Sequence, residues 1–126
     1  MIMTGIKFEK AVVDMLGKNG YWAHRIAPDA RGAQPFDVIA VGNGTVIVAD
    51  CKVCGDGRFD EYRFRENQRY SFEAFRTKNN NCDNVRIGMF AYYNDQVYWL
   101  PYWMLLNEGT IKLNEDLLCE YQLEQK

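Results

Sequence analysis

Four residues of this sequence have side chains that could act together on a phosphodiester bond. Asp37 and Asp50 are thirteen positions apart, and Lys52 follows Asp50 by two. Glu9, near the start of the chain, adds a third carboxylate. Carboxylate oxygens favour Mg²⁺, or Mn²⁺ as its substitute, over zinc. Such ions promote hydrolysis by lowering the pKa of a bound water, and a nearby lysine can orient that water and stabilise developing negative charge. The expected products carry a 3′-hydroxyl and a 5′-phosphate.

A predicted β-hairpin brings the two aspartates together. The strands Phe36 to Val41 and Thr45 to Lys52 are separated by a segment ending in Asn43-Gly44, the preferred pair for a two-residue type I′ turn. With these turn residues, Asp37 lies directly opposite Asp50, and the two-residue period places Lys52 on the same face. Opposed like charges destabilise a strand pair, so the arrangement calls for a compensating cation.

The first helix is expected to carry Glu9 toward the same site. Thr4 can N-cap a helix from about Gly5 to Lys18. Its predicted apolar stripe consists of Ile6, Val13 and Leu16 with Glu9 among them, while Phe8, Val12 and Met15 lie on the adjoining flank. If this helix packs on the sheet face that carries Asp37 and Asp50, Glu9 reaches the same metal. The alternative is a solvated Glu9 at the edge of the stripe.

A second helix is predicted from about Glu61 to Thr77. Gln68 shares a stripe with Phe72 and Phe75, so it either points toward the site as a helper or occupies an ordinary surface position. Arginines before and within this helix alternate with acids, so they either contact phosphates or form a salt-bridged helix face. Arg65 and Arg69 are the candidates here, and Arg31 is the candidate in the loop from Ala27 to Gln34 at the mouth of the site.

The remaining elements complete an α/β order of helix, three strands, helix and two strands. They are a strand from Gly20 to Ile26, a loop from Val53 to Asp60, a hairpin of Val85 to Tyr93 and Gln96 to Pro101 around Asn94-Asp95, and a short helix from Tyr102 to Leu106. This order predicts one domain over residues 1–126, with a mixed β-sheet flanked by helices.

Composition narrows the class of protein without identifying a partner. Hydrophobic residues are 48% and charged residues 25% of the chain, as is usual for globular proteins. The net charge of −2 neither supports nor excludes DNA binding. We expect a cytoplasmic protein, because the sequence shows neither an export signal nor an apolar run of the roughly 18 residues that a membrane helix needs.

The four cysteines are expected to be free thiols. The spacing of Cys51 and Cys54 raises the alternative of a zinc or redox site. Zinc needs about four ligands, and the remaining candidates, Cys82, Cys119 and His24, include no second close pair. Strand alternation also directs Cys51 to the sheet face opposite Asp50.

With these residues identified, the sequence resembles the PD-(D/E)XK nuclease superfamily and, within it, the Holliday junction resolvases. The resemblance covers about residues 4–106. Phe8-Glu9 is similar to the helix-borne acid of the family, and Glu66-Asn67-Gln68 is similar to a glutamine-bearing helix of RecU-type resolvases. The bipartite motif corresponds to Pro35-Phe36-Asp37 and Asp50-Cys51-Lys52, and Val97-Tyr98-Trp99-Leu100-Pro101 resembles a strand end of the same group.

The resemblance implies a function and a set of ligands. Glu9, Asp37, Asp50 and the Cys51 carbonyl would bind one or two Mg²⁺ ions, and Lys52 would act in catalysis. Resolvases of this kind are homodimers that cut two strands of a four-way DNA junction in recombination and repair. The segment before the second motif is short, as in compact archaeal-type resolvases. A nuclease for other branched or duplex DNA, and a non-catalytic DNA-binding module on the same fold, remain as alternatives.

Overall fold

The computed structural model describes residues 2–28, 30, 34–60, 64, 66–106 and 109–124. Within these ranges the helices are α1 (Gly5–Lys18), α2 (Glu66–Lys78) and α3 (Tyr102–Leu105). The strands are β1 (Trp22–Arg25), β2 (Val38–Gly42), β3 (Thr45–Val53), β4 (Arg58–Asp60), β5 (Val85–Tyr93), β6 (Gln96–Pro101) and β7 (Thr110–Lys112), and a 3₁₀ turn follows at Glu115–Leu117.

Five strands form one mixed sheet in the order β1-β2-β3-β5-β6. β3 and β5 run parallel, whereas the other neighbours are antiparallel. Parallel neighbours need a long crossover, which here contains β4 and α2. Because helices cover both faces of the sheet, the predicted α/β architecture is confirmed.

The turn between β2 and β3 has the predicted chemistry and the predicted register. Asn43 has φ 52° and Gly44 has φ 72°, which are the two positive φ values that a type I′ turn requires. Val41 therefore pairs with Val46, and Val38 pairs with Ala49. β2 begins two residues later than predicted, so Asp37 lies just before the strand, although its N–H still donates to the Ala49 carbonyl at 3.1 Å.

The two long helices lie on opposite faces of the sheet. Phe8 and Val12 of α1 pack with Val38 and Ala49, whereas Phe72 of α2 packs on the face that carries Val48. Glu9 was predicted to reach the metal if α1 covered the face of the aspartates, and the structure does not meet that condition.

The buried stripe of α1 also differs from the predicted one. It consists of Phe8, Val12, Met15 and Leu16, while Ile6 is 58% exposed. Phe8 and Met15 bury more apolar surface than Ile6 and Val13, so the helix is rotated to place the larger side chains inside. Glu9 consequently lies at the margin of the buried stripe.

A second, two-stranded sheet was not predicted. β4 occupies part of the segment from Val53 to Asp60 that was expected to be a loop, and it pairs with β7 near the end of the chain. Phe59 at its centre is 1% exposed and belongs to the core on the α2 side. The structure begins α2 at Glu66, and residues 61–63 and 65 of the predicted helix lie outside the described residues.

Two simpler expectations can also be compared with the structure. All four cysteines are free thiols, as predicted, and Cys51 packs among the α1-side core residues rather than with Asp50. In the described part of the chain, every helix is too short or too polar to cross a membrane.

Candidate active site

Asp37 and Asp50 meet where β2 begins and where β3 approaches its carboxyl end. The Asp37 N–H donates to two acceptors, the Ala49 carbonyl and Oδ1 of Asp50, and the second N···O distance is 3.2 Å. In the other direction, Oδ2 of Asp37 accepts a hydrogen bond of 2.8 Å from the Cys51 N–H. The predicted pair of opposed carboxylates is thus present, and each is anchored to the backbone of the other strand.

Gln68 points into this site from α2. Its Nε2 donates to Oδ2 of Asp50 at 2.8 Å. α2 lies on the sheet face of Val48, and the two-residue period puts Asp50 on that face too. Of the two placements considered for Gln68, the structure shows the one directed at the site.

Burial and mutual repulsion shape the charge of the aspartates. Asp50 is 2% exposed and is the one charged residue buried among those described. Burial, followed by the negative charge of Asp37, raises the pKa of Asp50 to about 7. Burial also raises the pKa of Asp37, against the lowering effects of the Cys51 N–H and of the Lys52 charge. The pair therefore favours a bound cation or a proton over two free charges.

Glu9 reaches the edge of the site but is held by another partner. The Arg25 Nε of β1 donates to Oε1 of Glu9 at 3.2 Å, and the Glu9 side chain is 16% exposed. Burial and the Asp37 charge raise the pKa of Glu9, so the two carboxylates are close enough to repel one another. No pattern in the sequence indicates a role for Arg25. Its position on a short edge strand beside α1 becomes apparent only after the helix is docked.

Cys51 and Lys52 follow Asp50 along β3 and point to opposite faces of the sheet. Lys52 is partly buried, and its positive charge lowers the pKa values of Glu9, Asp37 and Asp50. Cys51 presents its backbone N–H to Asp37, while its thiol lies in the core, where burial raises its pKa well above the ordinary value. A buried protonated thiol is a poor metal ligand, which argues against the zinc alternative.

The donor set suits Mg²⁺ better than a metal with many protein ligands. In the described residues, no three histidine, cysteine or carboxylate side chains are grouped closely enough to hold an ion. Mg²⁺ is usually bound through only one or two carboxylates, with water and substrate phosphate oxygens completing its shell. Asp37 and Asp50 meet that requirement as they stand.

Comparison with known proteins supports the same architecture. No protein-family model matches the chain, and no curated protein matches it by sequence. The solved structure of Archaeoglobus fulgidus Hjc, a Holliday junction resolvase from an archaeal hyperthermophile, aligns with 94% of this chain and 95% of its own. The TM-score is 0.66 and the sequence identity 18%.

The chain has the fold of a Holliday junction resolvase. The fold that the resemblance implied is therefore confirmed. A Silicibacter pomeroyi protein of unknown function aligns at 17% identity over 91% of this chain and 78% of its own, but its TM-score of 0.38 is too low to support any inference.

Of the three arginines predicted to contact DNA, the structure describes one. Arg31 and Arg65 lie outside the described residues. Arg69 is described, and it packs against Phe64: its Nε donates to the Phe64 carbonyl at 3.3 Å, and its guanidinium carbon is 5.4 Å from the ring centroid. The structure thus gives Arg69 a role in anchoring the start of α2, and its contact with phosphate stays a prediction.

Proposed function

We propose that this protein is a Mg²⁺-dependent DNA endonuclease, with Mn²⁺ as a possible substitute, and that it resolves four-way DNA junctions as a homodimer. One observation carries the proposal: Asp50 is buried opposite Asp37 near the carboxyl end of a central strand. It accepts a hydrogen bond from Gln68, and Lys52 lies two residues further along the strand. The resolvase fold agrees with this chemistry. DNA recombination and repair is the setting that the proposal implies.

Each side chain has a distinct task in the proposed reaction. Asp37 and Asp50 would hold Mg²⁺, which supplies an acidified water and neutralises phosphate charge when it is bound. The Gln68 amide fixes the orientation of Asp50 through the 2.8 Å hydrogen bond. Lys52 stabilises negative charge on the phosphate oxygens during attack and orients the attacking water.

Glu9 and the Cys51 carbonyl complete the proposed ligand set. Glu9 is in contact with Arg25, so we propose that it supports the ion through water rather than directly. The Cys51 N–H contact with Asp37 places this part of the backbone beside the carboxylates. Arg31, Arg65 and Arg69 are the proposed phosphate contacts, and substituting them should weaken DNA binding and flatten its dependence on salt.

The non-catalytic alternative has a physical argument against it. Two opposed carboxylates, one of them buried, reduce stability unless a cation offsets their repulsion. A module that only binds DNA gains nothing from that arrangement. A nuclease for other branched or duplex DNA would use the same carboxylates, and its choice of substrate distinguishes it from a junction resolvase.

One assay separates these possibilities. The full chain and its Asp50→Asn variant would be incubated with labelled four-way junction, nicked duplex, intact duplex and single-stranded DNA, with Mg²⁺ or with EDTA. We expect paired cuts in the junction that need Mg²⁺, and at least a hundredfold loss in Asp50→Asn, of the size seen when one group that stabilises the transition state is removed.

The outcome pattern assigns the function. Cutting of every substrate indicates a general nuclease, and binding without cutting indicates a DNA-binding module. Asp83→Asn, at an exposed position, is the matched control and should cut like the parent. If Asp50→Asn cuts as fast as the parent protein, the site assignment is wrong.

A further inference from the structure

The sheet face that carries Asp37 and Asp50 continues into an exposed surface on β1 and β2. α2 covers Val48 on this face, but Trp22 remains 61% exposed and Val41 42% exposed. His24 is exposed and Ile39 is half-buried. These four residues, Trp22, His24, Ile39 and Val41, are called the aromatic platform below.

The platform is an ordered surface. Trp22 pairs with Val41 and His24 pairs with Ile39 across the β1–β2 ladder, so the four side chains share one face. The rings of Trp22 and His24 are in contact, with centroids 4.3 Å apart and an interplanar angle of 51°. Ile39, the strand partner of His24, is packed against the core.

The platform is aligned with the proposed site. Val41, Ile39 and Asp37 follow one another at two-residue intervals along the same side of the chain. A strand rises about 3.3 Å per residue, so His24 and Trp22 lie about 7 Å and about 13 Å along the strand from the level of Asp37. A stacked DNA strand advances about 3.4 Å per nucleotide. The two rings are therefore about two (His24) and about four (Trp22) nucleotides from a phosphate held at the aspartates.

We propose that the aromatic platform is a stacking subsite for an unpaired nucleobase of the DNA substrate, two to four nucleotides from the phosphodiester bond that is cut. This inference rests on the proposed function, since it assumes that DNA lies at the aspartates. It further specifies the DNA substrate, which has a base beside the cleavage site that is unpaired or can be unpaired.

Position and charge favour a nucleobase over a protein partner. The platform lies on the same sheet face as the proposed catalytic carboxylates, so a DNA strand that runs along β2 from the cleavage site passes beside it. Lys52 on β3, on the same sheet face as Asp50, places positive charge beside Asp37, where its charge lowers the pKa of that carboxyl. A phosphate next to a stacked base would meet this cation. Exposed aromatic faces bind bases with little sequence preference, because every base has a π-face.

Trp103 provides a matched control for Trp22. It is 64% exposed, almost the same as Trp22, but it belongs to the short helix α3 after β6, at the opposite edge of the sheet order. Trp22→Ala, Trp22→Phe and Trp103→Ala would be made in the full chain. Their binding to single-stranded oligonucleotide and to fully paired duplex would be measured by fluorescence anisotropy in EDTA, so that cleavage plays no part.

The expected result is a selective loss. Trp22→Ala should bind the single strand about 5- to 100-fold more weakly, while Trp22→Phe retains most of the affinity and Trp103→Ala retains all of it. Affinity for fully paired duplex should change little in any variant. Quenching of tryptophan fluorescence by the oligonucleotide should disappear in Trp22→Ala and in Trp22→Phe, which both lack this tryptophan, and should persist in Trp103→Ala.

Other results overturn the inference in recognisable ways. Unchanged single-strand affinity in Trp22→Ala, or an equal loss in Trp103→Ala, rules out the subsite. A change in sedimentation mass confined to Trp22→Ala shows that the platform binds a second copy instead. If the parent protein cleaves but Trp22 has no effect, only this inference fails. If it binds single strands through Trp22 but cleaves no DNA, the proposed function fails, and the platform is a base-binding surface without a cleavage site.

Discussion

At the scale of single residues, Asp50 occupies surroundings that oppose its negative charge. Burial and the neighbouring Asp37 raise its pKa from 3.8 to about 7, although Gln68 and the Asp37 N–H donate hydrogen bonds to it. A group of this kind is useful when a cation binds, because the cation replaces the proton and removes the repulsion. In the absence of metal, the same group reduces stability at neutral pH.

Because the buried charge of Asp50 reduces stability at neutral pH, Asp50→Asn is expected to stabilise the metal-free protein. Since the folded-state pKa lies above the ordinary value, the folded chain holds this proton more tightly than the unfolded chain. The stability that this proton contributes is fully present below about pH 3.8 and is lost as the pH rises through about 7. Asparagine mimics the neutral acid, and the Gln68 amide can turn its oxygen toward the new NH₂. In EDTA at pH 8, the free energy of unfolding should rise by about 2–4 kcal/mol.

Urea denaturation at pH 5 and pH 8 tests this expectation. The gain in unfolding free energy should be much smaller at pH 5, and Asp83→Asn should show no comparable gain at either pH. Added Mg²⁺ should stabilise the parent protein more than the variant, because a ligand stabilises the state that binds it. An Asp50→Asn protein that is less stable than the parent at pH 8 would contradict the electrostatic account.

At the scale of elements, the β2–β3 turn sets the register of the site. Asn43 and Gly44 both have positive φ, and the pairs from Val38 with Ala49 to Gly42 with Thr45 follow from that turn. The same register, continued past the first residue of β2, brings Asp37 beside Asp50. A change in the turn therefore acts directly on the geometry of the carboxylates.

Gly44→Ala is expected to destabilise the protein by about 1–2 kcal/mol, because an L-residue pays this cost in the left-handed region. An added Cβ at Gly44 meets no atom within 4 Å, so the penalty comes from backbone strain at φ 72° alone. Gly55→Ala is the matched control, because a Cβ there also meets nothing within 4 Å and no left-handed φ is involved. Equal losses of unfolding free energy in the two variants would show that the turn conformation is not the cause.

At the scale of the whole molecule, each chain offers one proposed site, whereas resolving a junction requires two cuts. The proposed homodimer supplies two sites related by a two-fold axis, which matches the symmetry of a four-way junction. Sedimentation should therefore give a mass twice that of the 126-residue chain.

Mixing subunits tests the assembly through its products. When the parent protein and Asp50→Asn are unfolded and refolded together, mixed dimers hold one competent site. They should nick a cruciform plasmid to the relaxed circle, whereas parent dimers linearise it by paired cuts. A monomer that makes both cuts, or a mixture that yields only linear product, would exclude this arrangement.

The sequence alone was sufficient for features that depend on neighbouring residues. The turn chemistry of Asn43-Gly44, the opposition of Asp37 and Asp50, and the orientation of Cys51 away from Asp50 all follow from dihedral preferences and strand alternation over a few residues. Local geometry is encoded locally, so these predictions were confirmed. For Gln68, helical spacing left two placements open, and the structure shows the one directed at Asp50.

Only the tertiary structure decided how distant segments meet. α1 packs on the face opposite the aspartates, and its rotation buries Phe8 and Met15 rather than Ile6, which leaves Glu9 at the edge of the buried stripe in contact with Arg25. β4 pairs with β7, which lies about fifty residues later in the chain. Trp22 is exposed because α2 does not extend over that part of the sheet. These contacts result from competition among many side chains for one core, and no short stretch of sequence contains that information.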